Sequence, residues 1–190
     1  MNEKIRKQLE FLIEVDKMKN ILRQTLLMDK SRRENDAEHS WHFAVMALTL
    51  FEYSSNPDVD INRVIKMALL HDLVEVYAGD TFAYDKKGNE DKAKREKQAA
   101  DRLFSILPPE QACEFRALWE EFDSMETPDA VYASAIDRLQ PFISHTWVLH
   151  GITKDMVLDR MKIVKTAMQE LWEFVEQVID DSVAKGQIKQ

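Results

Sequence analysis

Apolar positions recur at helical spacing along most of the chain. Ile5, Leu9, Leu12 and Ile13 predict a first helix. The polar bend "DKSRREND" at 29–36 follows. Asp36 can then N-cap a second helix with Phe43, Met46, Ala47 and Leu50 on one face. His39, four residues before Phe43, projects from the start of that face. "SSNPD" at 54–58 breaks the chain. Asp60 can cap a third helix with the stripe Ile61, Val64, Ile65, Ala68 and Leu69. Continuing that stripe reaches Asp72 and then Glu75, and Gly79 ends it. "YDKKGNEDK" at 84–92 reads as a charged surface loop. A helix near 90–107 is stopped by "PP" at 108–109, and another covers roughly 109–122.

Thr127-Pro128 has the form of a cap followed by proline at the first helical position. The helix it starts is expected to run to Gly151 and to kink at Pro141, which lacks an N–H. A long last helix is expected over about 154–185. Its residues Val157, Met161, Val164, Met168, Leu171, Val175 and Val178 alternate steps of four and three, the spacing of a core or helix–helix seam. No segment reads as a strand. The prediction is an all-α helical bundle forming a single domain over 1–190.

Composition agrees. Four glycines and five prolines in 190 residues favour long helices over many turns. With 45% hydrophobic and 32% charged residues, the chain is expected to be soluble and globular. A net charge of −8 argues against a nucleic-acid polymer as partner, because that binding rests on phosphate neutralisation. It leaves room for a single nucleotide held by local cations. Cys113 is the only cysteine, which fits a reducing, cytoplasmic setting. The polar start "MNEKIRKQLE" does not read as a signal peptide, and the longest apolar run, "FAVMALTLF" at 43–51, is too short to span a bilayer.

Chemistry enters where ionisable groups interrupt apolar stripes. His39, His71 and Asp72 each lie on or beside the buried face of their own helix, where an unpaired charge is costly. A divalent cation would satisfy several of them at once. Two imidazoles and a carboxylate suit Mn, Fe, Co, Ni or Zn. Asp137, flanked at helical spacing by the small residues Ala130, Ala133 and Ser134, can add a carboxylate from a distant helix. Taken singly, each residue also has a plain structural reading: His39 bonded to backbone, Asp137 salt-bridged, Glu75 a surface charge and Asp80 a turn residue. His42, His145 and His150 are read as structural.

"EHS" at 38–40, "HDLVEVYAGD" at 71–80 and an isolated Asp137 together resemble the HD-domain metal-dependent phosphohydrolases. The likeness covers roughly residues 15–145 and is nearest to the 5′-deoxynucleotidase branch, in which Glu and Gly-Asp follow the His-Asp pair. "RRENDAEHS" at 32–40 and "LWEEF" at 118–122 also fit that branch. The resemblance implies an HD-domain bundle in which His39, His71, Asp72 and Asp137 ligate one divalent transition metal. It implies that Glu75 acts on the attacking water as general base or positions it, and that Asp80 serves as proton donor or water-orienting group. Arg23 would orient the substrate phosphate. Gln24, Asp80, Thr81 and Phe82 would contact the nucleoside.

The implied activity is release of phosphate from nucleoside 5′-monophosphates, expected to be deoxyribonucleotides, by a homodimer. Gln24 stands where bacterial members carry a tryptophan that crowds the sugar, so ribonucleotides and other small phosphomonoesters stay open. No histidine lies between 72 and 137, which disfavours the two-metal branches. Alternative readings are a non-catalytic nucleotide- or partner-binding module and an iron-dependent oxygenase or lyase.

Overall fold

The structure, a computed structural model, describes residues 2–144 and 151–190. His145, His150 and the last turns expected before Gly151 lie outside the described residues. The fold is the expected helical bundle, with α1 Glu3–Val15, α2 Asp36–Thr49, α3 Ile61–Leu70, α4 Glu75–Ala78, α5 Lys86–Asn89, α6 Lys92–Phe104, α7 Pro109–Ser124, α8 Pro128–Ile143, α9 Lys154–Ala167 and α10 Trp172–Ala184. Among the described residues, no helix is long and apolar enough to cross a membrane.

Helix α8 lies at the centre and packs on α2, α3, α7 and α9. It is buried on nearly all sides, from Ala130 and Ala133 to Ile136, Leu139 and Phe142. Its small residues let α2 and α3 approach closely. Those helices bring Phe43, Val64, Met67 and Ala68 into the main core. A second core joins Phe11, Val74, Leu103, Phe104 and Trp119. Leu73 and Phe115 pack against both.

Several expectations need correction. A short antiparallel hairpin, β1 Leu22–Leu26 and β2 Arg33–Asn35, precedes α2. Its first strand turns Arg23 and Thr25 inward and leaves Leu22 and Gln24 exposed. Polar residues occupy the inner face, so hydrophobic alternation could not reveal it. The cap of α2 is Asn35 and not Asp36. Asn35 Oδ1 accepts from the Glu38 N–H at 3.0 Å, and Glu38 returns a carboxylate to the Asn35 N–H at 3.2 Å. This capping box moves the helix start by one residue and turns Asp36 into the interior, 0% exposed.

Helix α1 packs through Phe11, which meets Phe115 edge-on, whereas Ile5, Leu9, Leu12 and Ile13 face outward at 47–71% exposure. The buried face of α3 runs Val64, Met67, Ala68 and His71, leaving Leu69 exposed. Asp60 and Thr127 cap α3 and α8 as expected. The C-terminal stripe is intramolecular core from Val157 to Val178. Its helix, however, breaks at Met168 (φ −149°), so α9 and α10 are separate segments packed on each other in place of one long helix.

Candidate metal centre and substrate cavity

Helix α3 stops one residue before the chemistry begins. His71 caps it, a turn carries Asp72, and α4 opens with Glu75. Gly79 (φ +74°) then adopts a left-handed conformation that side chains disfavour, and so delivers Asp80 to the same side. Arg95 holds the loop that follows. It donates to the carbonyls of Ala78 and Gly88 and to Thr81 Oγ1, at 2.8–2.9 Å.

His39, His71, Asp72 and Asp137 converge from α2, α8 and the α3–α4 turn. His39 Nε2 lies 3.0 Å from Asp137 Oδ1 and 3.8 Å from Asp72 Oδ2. His71 Nε2 lies 3.1 Å from Asp72 Oδ2 and 3.8 Å from Asp137 Oδ1. Two nitrogens and two oxygens therefore alternate around the centre, with His39, His71 and Asp72 offering ligand atoms within 4.8 Å of one another and Asp137 closing the ring through both histidines.

The ring tautomers follow from the outer contacts. His71 Nδ1 lies 2.9 Å from the Ala68 carbonyl, which can only accept, so Nδ1 carries the proton. His39 Nδ1 lies 2.8 Å from Gln140 Oε1, with the same consequence. Gln140 is oriented in turn by donating to Glu34 Oε1 at 2.7 Å. It also meets His42 Nδ1 at 3.0 Å, which links His42 to the centre through Gln140. Phe43 and Phe122 flank the His71 ring. In the neutral rings each Nε2 lone pair faces carboxylate oxygens, and buried His71 Nε2 has no hydrogen-bond partner. A proton or a cation resolves that arrangement.

The donor set fits a divalent transition metal. The edges near 3 Å match the spacing of neighbouring ligands held about 2.1 Å from one ion. Electrostatics point the same way. Burial alone would raise the Asp72 and Asp137 carboxyls. The histidines and Arg23 outweigh it and hold both well below the usual range. Burial would lower His71, yet Asp72 and Asp137 raise it.

Beside this centre stand Asp36, Glu75 and Asp80, with oxygens within 4.8 Å of one another, close enough to hold a cation. Both Asp36 oxygens and Glu75 Oε2 are buried without a hydrogen-bond partner. Burial, reinforced by the neighbouring carboxylates, raises Asp80, pushes Asp36 up to about 7 and lifts Glu75 well above the ordinary value. Arg23 donates from Nη1 to Asp72 at 2.8 Å and lies 3.6 Å from Asp36. Burial opposes its charge, but the surrounding carboxylates raise its pKa.

Asp36 gives the metal-free protein a pH signature. Its folded-state pKa lies above the unfolded value of about 3.9, so its stabilising contribution is complete below about pH 4 and lost as pH rises through about 7. In chelator-treated protein the thermal midpoint is expected to fall from about pH 5 to about pH 8, and Asp36→Asn to flatten that fall. The variant should be more stable at the upper pH by a few kcal/mol, one unit of displacement being worth about 1.4 kcal/mol. An identical slope in the variant would remove Asp36 as the cause.

A cavity of about 170 Å³ opens above these groups, lined by Arg23, Gln24, Asp72, Glu75, Asp80, Thr81, Phe82 and Asp137. Every expected contact residue thus borders the same space. His39 and His71 form its buried support. Sequence reasoning missed Asp36, taken as a cap, and Gln140. It also missed Tyr84, Asn89, Lys92, Arg138 and Arg160, which line the outer part. Of these, Asp36 had a signal in the sequence, since it lies within the "RRENDAEHS" stretch.

The chain matches the HD domain family over residues 15–178. It is 29% identical to human 5′-deoxynucleotidase HDDC2 over 136 residues, 71% of this chain and 65% of that protein. The match spans slightly less than two thirds of that relative's length. A 5′-deoxynucleotidase of Yersinia pestis is 29% identical over 147 residues, 74% of each chain. The crystal structure of a "predicted metal-dependent phosphohydrolase" from Magnetospirillum magnetotacticum MS-1 superposes with a TM-score of 0.93. It is 45% identical and covers 99% of this chain and 97% of its own.

Proposed function

Because the chain belongs to the HD domain family, we propose that it is a metal-dependent phosphomonoesterase acting on nucleoside 5′-monophosphates, with deoxyribonucleotides preferred. The observation that carries this reading is the alternating set of two imidazole nitrogens and two carboxylate oxygens beneath a cavity that also presents Arg23 and Glu75. His39, His71, Asp72 and Asp137 would hold one divalent cation. When bound, such an ion supplies Lewis acidity and lowers the pKa of water.

The chain's own groups do the rest. Arg23 offers a permanently charged fork to the phosphate. Glu75, whose pKa burial and the neighbouring carboxylates raise well above the ordinary value, accepts a proton from the attacking water. Asp80 stands at the cavity wall to deliver a proton to the departing oxygen. Thr81 and Phe82, held by Arg95 through the Thr81 hydroxyl and the adjoining loop, border the sugar and base. Gln24, exposed at the edge of the same cavity, would lie beside the sugar.

Purified protein supplied with Mn²⁺ or Co²⁺ should release inorganic phosphate from a panel of deoxy- and ribonucleoside 5′-monophosphates. No release from any of them, with metal demonstrably bound, would reject the reading. Gln140→Leu, which removes the acceptor that sets the His39 tautomer, should weaken metal binding about 10–100-fold. Wild-type affinity by metal titration would show that Gln140 does not orient His39. We extend the proposal to a homodimer. The outward apolar residues of α1, with Trp41, Val45 and Leu48 on the outer face of α2, support it, and light scattering tests it.

A further inference from the structure

The substrate cavity continues outward into an adjoining space of about 440 Å³, and the two share Tyr84, Asn89, Arg138 and Arg160 as walls. The combined space is of the scale of small-ligand sites. Its charge is unusual for this protein. The other half-buried arginines each have a carboxylate within 4.0 Å: Arg6 has Glu3, Arg23 has Asp72, Arg95 has Asp91 and Arg116 has Asp101. Among the described residues, Arg138 and Arg160 have none. Arg138 is tied down, donating from Nη1 to the Arg160 carbonyl at 3.0 Å and from Nη2 to Met125 Sδ at 3.2 Å. That bond draws α8 against α9 and sets the two arginines side by side. Lys86 adds a third cation to the outer wall. The one carboxylate there, Asp159, is paired with Lys162 at 2.8 Å.

Like charges gathered in a partly desolvated recess are costly unless an anion joins them. A neutral nucleobase does not offset them, whereas a phosphate dianion matches the guanidinium fork. We infer that the cavity's outer half is a second phosphate subsite, formed by Arg138 and Arg160, and that the preferred substrate is a phosphomonoester carrying another phosphate at its far end. This inference rests on the phosphomonoesterase reading for which end is cleaved, but its binding test does not.

The test uses nucleoside 5′-phosphonates, which cannot be hydrolysed, with and without a phosphate at the 3′ or the 2′ position. Binding to the metal-loaded protein is measured by calorimetry. One of the two added phosphates should tighten binding tenfold or more. Arg160→Gln should reduce that gain to within about twofold of none, and Arg160→Lys should restore part of it. Equal affinity for all three ligands would overturn the subsite, as would a gain that survives Arg160→Gln. The two readings fail separately. A protein that hydrolyses monophosphates yet binds all three phosphonates equally refutes only the subsite. One that prefers a second phosphate yet cleaves no phosphomonoester refutes only the activity.

Discussion

Asp72→Ala is expected to lose bound metal and phosphatase activity together, with activity falling by at least about 10⁴, the scale seen when one member of a unit that acts together is removed. One oxygen of this residue does three things. Asp72 Oδ2 lies 3.1 Å from His71 Nε2, 3.8 Å from His39 Nε2 and 2.8 Å from Arg23 Nη1. Without it the two imidazole lone pairs face Asp137 alone, and Arg23 keeps only the more distant Glu34 and Asp36. Asp72→Asn preserves the volume and the fold but offers a weaker ligand, so it should show an intermediate metal content. His71→Ala should behave like Asp72→Ala. Metal content by elemental analysis, read beside phosphate release, decides the matter. Full metal occupancy in Asp72→Ala, or activity without metal, would contradict the assignment.

Glu75→Gln separates chemistry from metal binding. It should keep its metal and lose turnover by about 10²–10⁴, the usual contribution of a positioned general base. Stability should move the other way. Glu75 is 4% exposed and crowded by Asp36, Asp72 and Asp80, which with burial raise its pKa. In chelator-treated protein at neutral pH, the neutral amide relieves that crowding, so the variant should melt higher than wild type. A merely structural Glu75 would not give lower turnover together with a higher melting temperature. Wild-type turnover in Glu75→Gln would end its role as base.

The helical bundle and most helix boundaries followed from local pattern. Asp60 and Thr127 cap where their spacing says, and Val157 to Val178 form core because steps of three and four keep one face inward. The hairpin did not follow, because Arg23 and Thr25 point inward toward a polar site and reverse the usual alternation. Asn35 and Asp36 are both good caps, and the reciprocal bond with Glu38 chose between them. The stripe Ile5, Leu9, Leu12 and Ile13 marks the first helix but faces outward, because a periodic stripe states that a face exists, not what covers it.

The sequence by itself determined the class of fold, and its resemblance to the HD-domain phosphohydrolases singled out His39, His71, Asp72 and Asp137, whose ligand atoms lie 3.0–3.8 Å apart around the centre. Helical periodicity placed His39, His71 and Asp72 on or beside the apolar stripes of their own helices, which is a local property. Tertiary structure alone decided the tautomers of His39 and His71, the buried carboxyl cluster of Asp36, Glu75 and Asp80, and the unneutralised pair Arg138 and Arg160. Those features depend on distances between α2, α4, α8 and α9. Charge, burial and hydrogen-bond satisfaction are set by neighbours far apart in the chain, which no periodicity within one helix encodes.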